Sequence, residues 1–190
     1  APAVRHVWPL LSGNEWRHAV LELLLEWSQR SISAKALAEF AGRNPDPHLR
    51  LLLDVVTQET KENLLPPGLE DRAHMAAQRL GDAQNMDEAL EEMFQGLSLQ
   101  SPAELALSTL GNVCLAGANL PAFKEHLAPF QDELVEAFAR QLKPMNWRLC
   151  GRAAGAVCNV VRLGSSFASA VEEKCLEPLI VALREEGTEG

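Results

Sequence analysis

Two asparagines, Asn112 and Asn159, stand 47 positions apart (112 to 159) in matching surroundings. Ala106-Leu107-Ser108-Thr109-Leu110-Gly111-Asn112-Val113-Cys114 is echoed by Ala153-Ala154-Gly155-Ala156-Val157-Cys158-Asn159-Val160-Val161. A primary amide carries both donors and an acceptor, so each asparagine can pair with a peptide unit whatever its side chain and hold an extended chain in register. Selectivity must then come from neighbours. Arg148, Arg152 and Gly155 precede Asn159 by 11, 7 and 4 residues, and Ser108 precedes Asn112 by 4. Those are helical spacings, which put each group on its asparagine's face. The constellation Asn112, Asn159, Ser108, Arg148 and Arg152 therefore fits recognition of a partner segment, with the asparagines on main chain and the arginines on side chains.

The residue types needed for covalent or metal chemistry are scattered. None of His6, His18, His48, His74 and His126 lies at metal-ligand spacing with another histidine or cysteine. No nucleophile elbow, phosphate-binding loop or dinucleotide fingerprint occurs. The expectation is a non-enzyme with no metal and no cofactor. Cys114, Cys150, Cys158 and Cys175 sit in or beside apolar helical runs and form no C-x-x-C pair. They read as reduced, buried small apolar residues of a cytoplasmic or nuclear protein.

A formal net charge of −9 argues against a nucleic-acid partner. No apolar run reaches the ~18 residues of a membrane span, so a soluble chain without a membrane partner is expected. The start at Ala1 and the tail from Arg184 to Gly190 read as the edges of a domain cut from a longer protein.

The elements that must position the asparagines are all helical. Trp16, Ala19, Val20, Leu23, Leu24 and Trp27 recur with helical period, and Leu21 and Leu25 widen that face. A helix over 34–41 with caps at Ser31 or Ser33 is expected to stop at Gly42. Asn44-Pro45-Asp46-Pro47 reads as an extended turn before the amphipathic Leu49, Leu52, Leu53 and Val56. Pro66-Pro67-Gly68 marks a turn, after which helical patterns run over 69–80 and 86–97. Trp147 reads as core at a repeat junction, with an exposed binding anchor as the other reading. Gly111, Gly151 and Gly155 fall inside helices, where each costs about 1 kcal/mol against alanine, so close helix packing is the expected compensation.

After each asparagine comes a polar loop and then two shorter apolar helices, carried by Phe123 to Leu142 in one copy and Phe167 to Leu183 in the other. This order over 101–183 resembles the armadillo repeat. The resemblance implies an all-α, armadillo/HEAT-like superhelical solenoid of about four units, forming a single domain over 1–190 with degenerate repeats over 1–100. It also implies a concave groove lined by the asparagine-bearing helices, in which the amide hydrogen-bonds the main chain of a bound peptide. Repeats of that family that bind basic peptides carry Trp one turn before the Asn, where this chain has Ser108 and Gly155. With Arg148 and Arg152 beside it, the Asn159 end suits an acidic or apolar segment. The expected function is a protein-interaction scaffold or adaptor. The other reading is a structural end piece of a longer solenoid, or a module that self-associates into a homo-oligomer without a peptide groove.

Overall fold

The computed structural model describes residues 2–43, 45–58, 61–65, 67–80 and 99–186, and the regular structure among them is helical throughout. Helix α1 (Pro2–Val7) leads through a 3-10 turn (Trp8–Ser12) into α2 (Asn14–Gln29), α3 (Ser31–Arg43), α4 (Pro45–Thr57), the short α5 (Lys61–Leu64) and α6 (Leu69–Leu80). The second half holds α7 (Pro102–Gly117), α8 (Pro121–Leu127), α9 (Gln131–Gln141), α10 (Trp147–Val160) and α11 (Ser165–Glu186). The pattern expected over 86–97 lies outside the described residues. No described helix is long and apolar enough to cross a membrane.

Helix α7 is the axis of the packing. It is apolar on almost every side, as a helix surrounded by others must be; Leu105, Leu107, Leu110 and Val113 are all buried. Helices α2, α3, α4, α5 and α10 pack around it. Its start is fixed by a reciprocal cap: the Glu104 N–H donates to Ser101 Oγ at 3.3 Å, and the Ser101 N–H donates to Glu104 Oε2 at 2.6 Å. Two otherwise orphaned donors are thereby satisfied, with Pro102 in the first turn, where its missing N–H is no loss.

Helices distant in sequence lie against one another: α2 on α7 and α7 on α10, α3 on α8, α4 on α9 and α9 on α11. Polar links reinforce several of these contacts. Arg50 on α4 pairs with Glu133 on α9 and lies 5.4 Å from the Phe130 ring centroid. Gln141 Nε2 donates to the Val56 carbonyl at 3.0 Å. Lys174 on α11 reaches Asp132 and Glu136 on α9 at 3.7 and 3.9 Å.

Phe123 is the tightest wedge. Its ring enters between Gly42 of α3 and Gly117 of α7, where a β-carbon would stand 2.8 Å from Cδ2 and 2.2 Å from Cδ1 respectively. Gly42 therefore does not stop α3, which continues to Arg43; it clears a path for a neighbour.

Other expectations are corrected by the packing. Helix α4 starts at Pro45 rather than after an extended 44–47 turn, because a proline in a first helical turn has its φ preset and no N–H to lose. The buried face of α2 is centred on Val20, Leu21, Leu24, Leu25 and Ser28, while Trp16 is 56% exposed. Leucines occupy so much of this helix that periodicity alone leaves its phase open. Trp147, read as core or as an exposed anchor, is 71% exposed at the start of α10, beside a fully exposed Met145. The second unit does not break into two short helices: α11 runs through Pro178 as one. Cys114, Cys150 and Cys175 are buried as expected, but Cys158 is exposed. Burial pushes the Cys114 thiol up to about 12, far from any nucleophilic thiolate at neutral pH.

Candidate functional site

Where α2, α7 and α10 meet, a cleft of about 370 Å³ opens. Its described lining includes Leu25 and Gln29 from α2, Gln100, Ser108, Gly111 and Asn112 at and along α7, and Gly151, Arg152, Gly155 and Asn159 from α10. Four of the five residues singled out in the sequence, Ser108, Asn112, Arg152 and Asn159, thus converge on one cavity. They do so because each pair already shares a helix face, and α7 and α10 approach closely enough to join the two faces.

That approach depends on Gly111. A β-carbon there would lie 3.0 Å from Ala156 Cα and 3.1 Å from Ala156 Cβ, so the absent side chain lets the two helix backbones come together. Close packing compensates Gly111 as expected. It does not compensate Gly151 or Gly155: a β-carbon at either would meet nothing within 4 Å. Both glycines line the cleft and leave a stretch of helix backbone bare toward open space.

The polar groups differ in how far they are engaged within the fold. Asn112 Nδ2 donates to Ser28 Oγ at 3.0 Å, and the Ser28 hydroxyl donates to the Leu25 carbonyl at 2.7 Å. Asn112 therefore holds α2 against α7 and keeps its carbonyl oxygen for other use. The Asn159 side-chain amide makes no hydrogen bond among the described residues, and Arg152 pairs with no carboxylate there. The Ser108 hydroxyl oxygen is buried and has no partner. A donor or acceptor buried in this way costs about 1–3 kcal/mol relative to a satisfied one. Arg152 is the one charged residue of the described lining, and it is cationic.

Arg148 lies elsewhere. Its Nε donates to Glu104 Oε1 at 2.7 Å, and its Nη2 donates to the Leu99 carbonyl at 2.6 Å. The Glu104 side chain is only 5% exposed. Arg148 is thus tied to the capping box of α7 and is absent from the cleft lining, although its spacing from Arg152 puts both on one side of α10. Its guanidinium is engaged by Glu104 and Leu99 at the start of α7.

Sequence reasoning left Leu25, Gln29 and Gln100 out of the site. The signal for α2 was faint but present: Ser28-Gln29 closes an apolar helix with small and amide side chains, much as Asn112 and Asn159 follow apolar runs. The segment between α4 and α7 breaks the spacing, so no period connects α2 to the later helices.

No protein-family model, curated protein or solved structure matches this chain.

Proposed function

We propose that the chain is a protein-interaction scaffold that holds an extended partner segment in the cleft between α2, α7 and α10, with an acidic side chain of that segment on Arg152. The observation that carries this reading is the pairing of unengaged polar groups with vacant backbone. Ser108 Oγ and the Asn159 side-chain amide lack partners among the described residues, and they border the two helix-interior glycines whose β-carbons would meet no neighbour. A bare helix face admits a peptide backbone closely, and amide side chains pair with it independently of its sequence. Arg152, with no carboxylate beside it, supplies a guanidinium fork suited to a carboxylate.

The stacking of α2 on α7 on α10, of α3 on α8, and of α4 on α9 on α11 supports an armadillo-like solenoid as the architecture behind the cleft. In that arrangement α2 is the third helix of a first unit. The segment between α4 and α7 is then an insertion between units, which would account for the degenerate first half.

The test is selection of random peptides displayed on phage against the intact chain and two variants. Acidic peptides are expected to be enriched by the intact chain and lost with Asn159→Ala combined with Arg152→Glu. The Gly155→Leu variant fills the vacant face and is expected to block binding at least tenfold while raising stability by about 0.5–1 kcal/mol, since it removes a helix-interior glycine without a clash. Binding unchanged in Gly155→Leu would refute the assignment, because the fold is then intact and the cleft closed.

A second reading, self-association or an end-piece role, draws on α11, where Leu176, Ile180 and Leu183 are exposed at helical spacing. Sedimentation over a concentration series separates the two. A dimer that Ile180→Glu with Leu183→Glu dissociates would favour this reading, and a concentration-independent monomer would remove self-association.

A further inference from the structure

A second groove, remote in sequence from the asparagine cleft, opens where α1, the Trp8–Ser12 turn, α3 and α4 meet. Its volume is about 550 Å³, within the ~300–1,000 Å³ typical of small-molecule sites. Its described lining includes Arg5, Trp8, Phe40, Arg43, His48 and Leu51.

The wall is built from aromatic rings held in fixed relation. Phe40 and His48 are stacked, with centroids 4.3 Å apart at 27°, and Trp8 meets them at 5.8 and 5.4 Å. Trp8 Nε1 donates to the His48 carbonyl at 2.9 Å, which fixes the turn against α4. An apolar body therefore finds a preformed aromatic surface.

The charge on the groove goes against that of the chain. The protein carries −9 overall, yet the described lining contains two arginines and no carboxylate. Arg5 and Arg43 are exposed, and neither makes an ion pair or hydrogen bond among the described residues. Aromatic faces by themselves also attract cations. Two guanidiniums beside them reverse that preference, and each offers a fork matched to a carboxylate or phosphate.

We propose that this groove is a binding site for a small organic anion, its planar apolar part against Phe40, His48 and Leu51 and its carboxylate or phosphate on Arg5 and Arg43. The site is independent of the peptide reading above and stands if that reading fails.

The test is calorimetric titration of the intact chain at pH 7 with three probes of one shape: 2-naphthoate, 2-naphthyl phosphate and neutral 2-naphthylmethanol. At least one anion is expected to saturate at one equivalent and to bind tenfold or more tightly than the alcohol. The stronger of the two anions identifies the head group. The Arg5→Gln, Arg43→Gln protein should lose that preference while keeping its circular dichroism, since both side chains are exposed. If the double variant does not fold, Arg43→Gln alone should reduce the preference at least threefold. Saturation by none of the probes, equal binding of alcohol and anions, or an anion preference that survives the substitutions would overturn the proposal.

Discussion

Glu104→Ala is expected to destabilise the protein by about 3–5 kcal/mol, the cost typical of removing one partner from a buried ion pair. Two losses coincide. Arg148, whose side chain is 26% exposed, is left without the carboxylate that receives its Nε at 2.7 Å. The Ser101 N–H simultaneously loses its acceptor, so the capping box at the start of α7 opens. Because most of the other described helices pack on α7, fraying there is not confined to one turn. For a domain of this length each kcal/mol corresponds to roughly 2–4 °C in Tm, so a fall of about 10 °C is expected in thermal unfolding, with a matching drop in urea midpoint. Arg148→Ala should cost a similar amount by leaving Glu104 buried and half-paired. The double variant should cost clearly less than the two together, whereas a single-variant loss below 1 kcal/mol would show that the pair is incidental.

The Gly117→Ala substitution should be nearly as damaging, for a purely steric reason. Its β-carbon would lie 2.2, 2.4 and 2.6 Å from Cδ1, Cε1 and Cγ of Phe123, below the 3.0 Å that real β-carbons respect. An ordinary overpacked core relaxes at a cost of about 1–3 kcal/mol. Here the ring has no room to step back, since Gly42 of α3 bounds its opposite edge and Phe123 is itself buried. A loss at the upper end of that range or beyond is expected in urea unfolding. Shortening the wedge supplies the control. Phe123→Ala alone should cost about 3–5 kcal/mol through the cavity it leaves. Gly117→Ala with Phe123→Leu should be less destabilised than the sum of its parts. Strict additivity would show that the β-carbon and ring do not meet.

Glu104 follows Ser101 at capping-box spacing and was there to be read as a helix start. Arg148, by contrast, belongs by periodicity to the same side of α10 as Arg152 and Asn159, and nothing local distinguishes it. Only the approach of α10 to the start of α7 brings a buried carboxylate within 2.7 Å of its Nε and removes it from the cleft. The three helix-interior glycines divide in the same manner. All carry the same propensity penalty, yet Gly111 faces Ala156 at van der Waals limits while Gly151 and Gly155 face empty space.

The sequence by itself determined the all-helical class, the positions of most helices, and the helix faces that carry Ser108 with Asn112 and Arg152 with Asn159. These follow from periodicities and caps, interactions between residues three or four positions apart that any local window contains. Tertiary structure decided the phase of α2, the continuity of α11 through Pro178, the exposure of Trp147, and the closing of α2 over Asn112 through Ser28. It also decided which polar groups were taken up within the fold and which were left facing the cleft. Each of those outcomes turns on partners tens of residues away, and a local pattern holds no record of which neighbour arrives to cover a face. The two asparagines line one cleft, and one of them, Asn112, also ties α2 to α7 through Ser28.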